Sequence, residues 1–91
     1  MKILVKPLAE LSGSLSERCY EVSEGLSVEM VLREIGRRHP PFQEALFDEQ
    51  GCVKDFINVL VNGKRVDMSL QADLPLLEGD EISLFSYVVG G

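Results

Sequence analysis

Polar and apolar side chains alternate twice near the start of the chain. Lys2-Ile3-Leu4-Val5-Lys6 predicts a first strand with Ile3 and Val5 on one face, and Pro7 either ends regular pairing there or places it at an edge. The stretch from Leu11 to Ser16 holds Ser-Gly-Ser and reads as a turn, after which Glu17–Val22 alternates again with Arg18, Tyr20 and Val22 together. The period then changes. Val28, Val31, Leu32 and Ile35 recur at helical spacing behind Ser27, whose hydroxyl suits an N-cap, while Leu26 and Val31 occupy hydrophobic-staple positions. Arg37, Arg38 and His39 complement the dipole at the far end, and Pro40-Pro41 stops the helix. From Phe42 to Asp55 the pattern is less regular. Phe42, Leu46 and Phe47 suit a short helical turn before the loop at Asp48-Glu49-Gln50-Gly51.

Phe56–Val61 is rich in β-branched and aromatic residues and predicts another strand. Asn62-Gly63 is the two-residue signal for a type I′ hairpin, returning through Lys64-Arg65-Val66. Met68–Leu77 reads as a connection with at most a short helical turn. Leu76–Asp80 then turns the chain into a last strand, Glu81–Phe85. One main helix and about five strands must form two layers, with the helix burying its stripe on one sheet face. This is an α+β chain in the element order of a β-grasp. By analogy with that fold, the first and last strands run side by side at the centre of a mixed sheet.

Strand alternation yields a second expectation. If Ile3, Val5, Ile57, Val59, Val61, Ile82 and Leu84 face the helix, then Leu4, Leu60 and Phe85 face outward. They read as a docking patch for a partner, the alternative being that they are scattered or covered by the Met68–Leu77 connection. Beyond Phe85 the chain runs through Ser86-Tyr87-Val88-Val89-Gly90-Gly91 with no charged side chain. Two glycines at a free carboxyl end make a slim, adaptable backbone able to thread a narrow channel. Residues 1–85 are therefore expected to form one domain and residues 86–91 a flexible tail.

Composition narrows the classes. The chain has 91 residues, 45% apolar and 26% charged, with a formal charge of −6. That acidity opposes nonspecific nucleic-acid binding, which needs clustered cations. No apolar run has the length of a membrane span, and a cytoplasmic protein is expected. Cys19 and Cys52 lie far apart and His39 is the sole histidine, so no metal site is recognisable and both thiols are taken as unbridged. No nucleophile and base stand at a telling spacing. His39 reads as a helix-end residue, and Arg37-Arg38 as a solvated helix end.

Three segments taken together resemble a known family. Val61-Asn62-Gly63, then Leu77-Glu78-Gly79-Asp80-Glu81-Ile82-Ser83-Leu84-Phe85, then Val88-Val89-Gly90-Gly91 are similar to the MoaD/ThiS sulfur carriers, which are ubiquitin-like β-grasp proteins. The length and the Pro40–Asp55 segment favour the molybdopterin synthase small subunit, MoaD, within that family. Ser86-Tyr87 stands where a common MoaD tail carries prolines.

The resemblance implies a co-substrate rather than an enzyme, with no bound cofactor and no metal. A ubiquitin-activating-type adenylyltransferase would use ATP to adenylate Gly91, because a bare carboxylate has no leaving group. A persulfide sulfur would then displace AMP and leave a thiocarboxylate. A MoaE-like large subunit would use that sulfur to build the molybdopterin dithiolene. Gly91 would carry the sulfur, Gly90 would let the tail enter both partners, Val88 and Val89 would line the channel mouth, and Phe85, Leu60 and Leu4 would dock. Six extended residues reach about 20 Å. Sulfur delivery to thiamine or another thio-compound is an alternative. Conjugation of Gly91 to protein lysines, as a ubiquitin-like modifier, is another, and an incidental tail on a β-grasp binding module is the last.

Overall fold

A computed structural model describes residues 1–6 and 18–86 of the chain. Its elements run β1 (Lys2–Lys6), β2 (Arg18–Glu21), α1 (Val28–Arg38), α2 (Pro40–Leu46), β3 (Ile57–Val61), β4 (Lys64–Val66), α3 (Met68–Gln71) and β5 (Glu81–Ser86). The strands form one mixed sheet in the order β2-β1-β5-β3-β4. β1 and β5 are parallel, with Leu4 opposite Glu81 and Val5 opposite Ile82, and every other pairing is antiparallel. The central pair is therefore the first and last strands, as a β-grasp requires.

Alternation along the strands sorts their side chains as expected. Ile3, Val5, Ile57, Val59, Val61, Ile82 and Leu84 are all buried, together with Val28, Val31, Leu32 and Ile35 of α1. One apolar core lies between sheet and helix, and no charged side chain is buried among the described residues. Ser27 caps α1 through its hydroxyl oxygen, which accepts from the Met30 N–H at 3.3 Å. Leu26 packs against the core beside it. On the solvent side Arg33 pairs with Glu29, while Arg37 and Arg38 both pair with Glu34. Exposed pairs of this kind contribute only a few tenths of a kcal/mol each, so the buried stripe holds the helix.

Pro40-Pro41 ends α1 but does not end helical structure. His39 closes α1, its N–H donating to the Ile35 carbonyl at 3.0 Å, and α2 starts at the next residue with proline in its first positions. Proline cannot continue a helix, yet its fixed φ and missing N–H suit a first turn. The expected short turn is thus a seven-residue helix that buries Phe42 and Leu46.

Phe56 is corrected as well, because it lies outside β3 and is 44% exposed. The Ile57 N–H donates to the Lys54 carbonyl at 3.1 Å, which keeps Phe56 in a turn. The Asn62-Gly63 turn forms as expected, with φ of 52° and 83°.

The 68–77 connection, with α3 at its start, lies along the beginning of α1. The N–H groups of Val28 and Glu29, which no helical turn precedes, donate to the carbonyls of Leu74 and Ala72 at 2.9 and 3.1 Å. Leu76 is buried there, and Met68 and Leu74 pack on the core. This position puts the connection on the helix side of the sheet, so it does not cover the outward face.

Candidate docking face and C-terminal strand

The outward face is built by the alternate residues of each strand. Leu4 and Leu60 are half-buried and Phe85 is 52% exposed. Register shows how they relate. Leu60 and Phe85 lie on neighbouring strands two register positions apart, diagonal neighbours on the same face, because Leu60 faces Ser83 and Asn58 faces Phe85. Leu4 instead faces Glu81 across β1 and β5 and Cys19 across β1 and β2. With strands ~4.8 Å apart, Leu4 stands on the order of 10 Å from Leu60, across β5. Between them run Ser83, a small side chain, and the Lys6–Glu81 ion pair at 3.5 Å. The sequence brings three apolar residues to one face; the fold makes them a Leu60–Phe85 pair with Leu4 as an outlier across a polar strip. Arg65 sits opposite Leu60 on β4 and forms no ion pair among the described residues, so the pair has a cationic edge.

β5 carries this face towards the tail. Its entry is held by a clamp that pattern reading missed. Asn62 Nδ2 donates to Asp80 Oδ1 at 2.9 Å, the Glu81 N–H donates to Asn62 Oδ1 at 3.0 Å, and the Leu77 N–H donates to Asp80 Oδ2 at 2.8 Å. The Asn62 N–H closes the set on the Glu81 carbonyl at 2.8 Å. One residue therefore both turns the β3–β4 hairpin and fixes the start of β5. The signal was present as Asn62-Gly63 and Gly79-Asp80-Glu81, but only the β3–β5 pairing brings them together.

At its other end β5 extends to Ser86, paired with Ile57, the first of the six residues assigned by pattern to the tail. Val88, Val89, Gly90 and Gly91 lie outside the described residues.

The remaining candidates form no reaction centre among the described residues. His39 is a helix-end residue whose ring meets Tyr20 edge-on at 5.9 Å. Cys19 and Cys52 are exposed free thiols, and no group of three potential ligands could hold a metal ion. A concavity of about 420 Å³ opens between α1, the 47–55 loop and the β3–β4 edge, with Cys52 on its rim. Its Arg33 is committed to Glu29 and to the Gly51 carbonyl, and its Lys54 to the Glu44 carbonyl. No described helix is long and apolar enough to cross a membrane.

The profile of the ThiS family matches residues 3–91, nearly the whole chain. The chain belongs to the ThiS family. Its members are ubiquitin-like sulfur carriers and modifiers, and the five-stranded sheet is their β-grasp. The small archaeal modifier protein 1 of Haloferax volcanii is 33% identical over 88 residues, covering 97% of this chain and 95% of that protein. The crystal structure of that protein superposes with a TM-score of 0.82 at 28% identity, over 100% of both chains. A Pyrococcus furiosus structure assigned as molybdopterin converting factor subunit 1 gives a TM-score of 0.74 at 31% identity, covering 97% of this chain and 99% of that one.

Proposed function

We propose that this ThiS-family chain is the small, sulfur-carrying subunit of a molybdopterin synthase. An adenylyltransferase of the ubiquitin-activating type uses ATP to convert the Gly91 carboxylate to an acyl adenylate. A persulfide sulfur displaces AMP, and the resulting thiocarboxylate is anionic and a better nucleophile than the carboxylate it replaces. A MoaE-like large subunit receives the tail and performs the transfer to the pterin precursor.

The observation that carries this reading is the exposed Phe85 beside Leu60 on β5, the strand that leads into residues 87–91. A partner seated on that pair necessarily receives the segment that follows. The clamp at Asp80 and pairing along the whole of β5 give the partner a rigid surface, which lowers the ordering cost of docking. Destination is the finer part of the proposal and is favoured by the likeness to the Pyrococcus furiosus factor.

A second reading is favoured by the likeness to the archaeal modifier protein: the same acyl adenylate of Gly91 is captured by a lysine of a target protein. Intact-mass measurement after incubation with the cognate adenylyltransferase, ATP and a sulfur donor separates the two. An oxygen-to-sulfur gain at Gly91 supports the carrier, and its absence under conditions that consume ATP refutes it. Isopeptide conjugates on other proteins support the modifier. Co-purification with a large synthase subunit, against a thiazole-forming partner, decides between molybdopterin and thiamine.

A further inference from the structure

The face that carries Leu60 and Phe85 also carries cations, although the chain as a whole has a formal charge of −6. By strand alternation Lys2, Lys6 and Arg65 all lie on it. They are not equivalent. Lys6 is committed to Glu81 at 3.5 Å. Lys2 stands opposite Glu21 and level with Gly79, whose N–H donates to the Lys2 carbonyl at 2.8 Å. That places it about 20 Å along the sheet from the level of Phe85. Arg65 adjoins the apolar pair directly, as the partner of Leu60 about 5 Å across the β3–β4 ladder. Its side chain is exposed and makes no hydrogen bond or ion pair among the described residues. Asp67, two residues on, feels its charge, but the Asp67 carboxylate already accepts from the Ser69 hydroxyl at 2.6 Å and the Ser69 N–H at 3.0 Å.

A partner that closes over Leu60 therefore closes over the Arg65 guanidinium as well. Arginine cannot shed its charge by deprotonation, so a surface without an acceptor there would strip water from a fixed cation and leave it unpaired. A carboxylate answers the planar fork with two parallel hydrogen bonds. A polyanion does not suit the face, because it needs clustered cations and here Lys6 is committed and Lys2 remote. The rest of the chain holds the acidic excess, so a partner acid placed anywhere but at Arg65 meets like charge.

We propose that Arg65 selects the partner of this face, by pairing with a carboxylate that the partner protein presents beside its apolar socket for Leu60 and Phe85. The inference rests on the reading that this face docks the adenylyltransferase, and it adds a charge requirement to that reading. The apolar pair supplies attraction that many surfaces could share. Arg65 supplies discrimination, since it rewards one placement of one acidic group and opposes a dry or basic surface.

The test is calorimetric binding of the full chain to the adenylyltransferase of the same organism, without ATP, at low and high salt. Arg65→Met keeps an apolar stem and removes the charge, and in about 0.1 M NaCl it should raise Kd about threefold. Arg65→Glu replaces attraction by repulsion and should raise Kd about tenfold. In about 1 M NaCl, where the screening length falls to about 3 Å, wild type and both variants should converge. Lys64→Glu makes the same change in net charge on the opposite side of β4, the side of the buried Val66, and should bind like wild type. An unchanged Kd for Arg65→Glu while Phe85→Ala is weakened overturns this inference and leaves the docking reading standing. A gap that persists at high salt overturns it, as does equal weakening by Lys64→Glu, which would make net charge the cause. A wild-type chain that does not bind, or a Phe85→Ala chain that binds like wild type, removes the docking reading and this inference together.

Discussion

Truncating Phe85 to alanine separates docking from folding. Phe85 is 52% exposed before any partner binds, so the substitution removes a half-solvated ring and leaves no enclosed cavity. Fully buried phenylalanines cost about 3–5 kcal/mol on truncation. With half the surface already in water and little strand preference lost, about 1 kcal/mol is expected here. For a domain of this size that lowers Tm by roughly 4–8 °C. In the proposed complex the same ring is the anchor, and truncating such anchors costs about 2 kcal/mol or more. At about 1.4 kcal/mol per tenfold, the KM for this chain in adenylyltransferase-catalysed pyrophosphate exchange should rise about 30-fold. Its kcat should hardly move, because Gly91 is untouched. Ile82→Ala, on the same strand but 0% exposed, is the control: it should cost about 2–5 kcal/mol in unfolding while leaving the outward face intact. An unchanged KM for Phe85→Ala would refute the docking assignment. So would a KM rise accompanied by a stability loss as large as that of Ile82→Ala.

Three further outcomes follow from the described contacts. Asn62→Ala removes the two clamp bonds made by the Asn62 side chain and places a Cβ residue other than Asn at positive φ, so urea unfolding should show a loss of about 1–3 kcal/mol. Asn62→Gly restores the backbone but not the bonds and should fall between wild type and alanine. Ser27→Ala should cost about 1 kcal/mol by removing the α1 cap, measurable in the same assay. Asp67 caps α3, and its carboxyl is held below the usual 3.8, first by the Ser69 hydroxyl and then by the Ser69 N–H, with Arg65 adding a smaller pull. A depressed carboxyl contributes stability that is full above the unfolded value near 3.8 and is lost as pH falls through the lower folded value. NMR titration should place the Asp67 midpoint below that of an unstructured aspartate, and Ser69→Ala should move it upward. An Asp67 midpoint that Ser69→Ala leaves in place would refute the hydroxyl as the main cause.

Local chemistry alone determined much of this molecule. Period-2 stretches named the strands and their buried sides, period-3.6 spacing with Ser27 placed α1, and Asn62-Gly63 specified its turn, because each of these depends on residues a few positions apart. The family resemblance was equally local, carried by short runs in the second half of the chain. Tertiary structure decided what depends on distant partners. Pro40 both stops and starts a helix by its own chemistry, and burial of Phe42 and Leu46 is what draws α2 onto the core. Alternation sent Leu4, Leu60 and Phe85 outward, but only the pairing of β5 between β1 and β3 set Leu60 beside Phe85 and left Leu4 beyond the Lys6–Glu81 pair. The same pairing joined Asn62 to Asp80 across 18 positions of sequence. Hydrophobic pattern specifies which side of a strand is buried; it carries no record of which strand lies alongside, since that choice is made by contacts the chain forms only when it closes on itself.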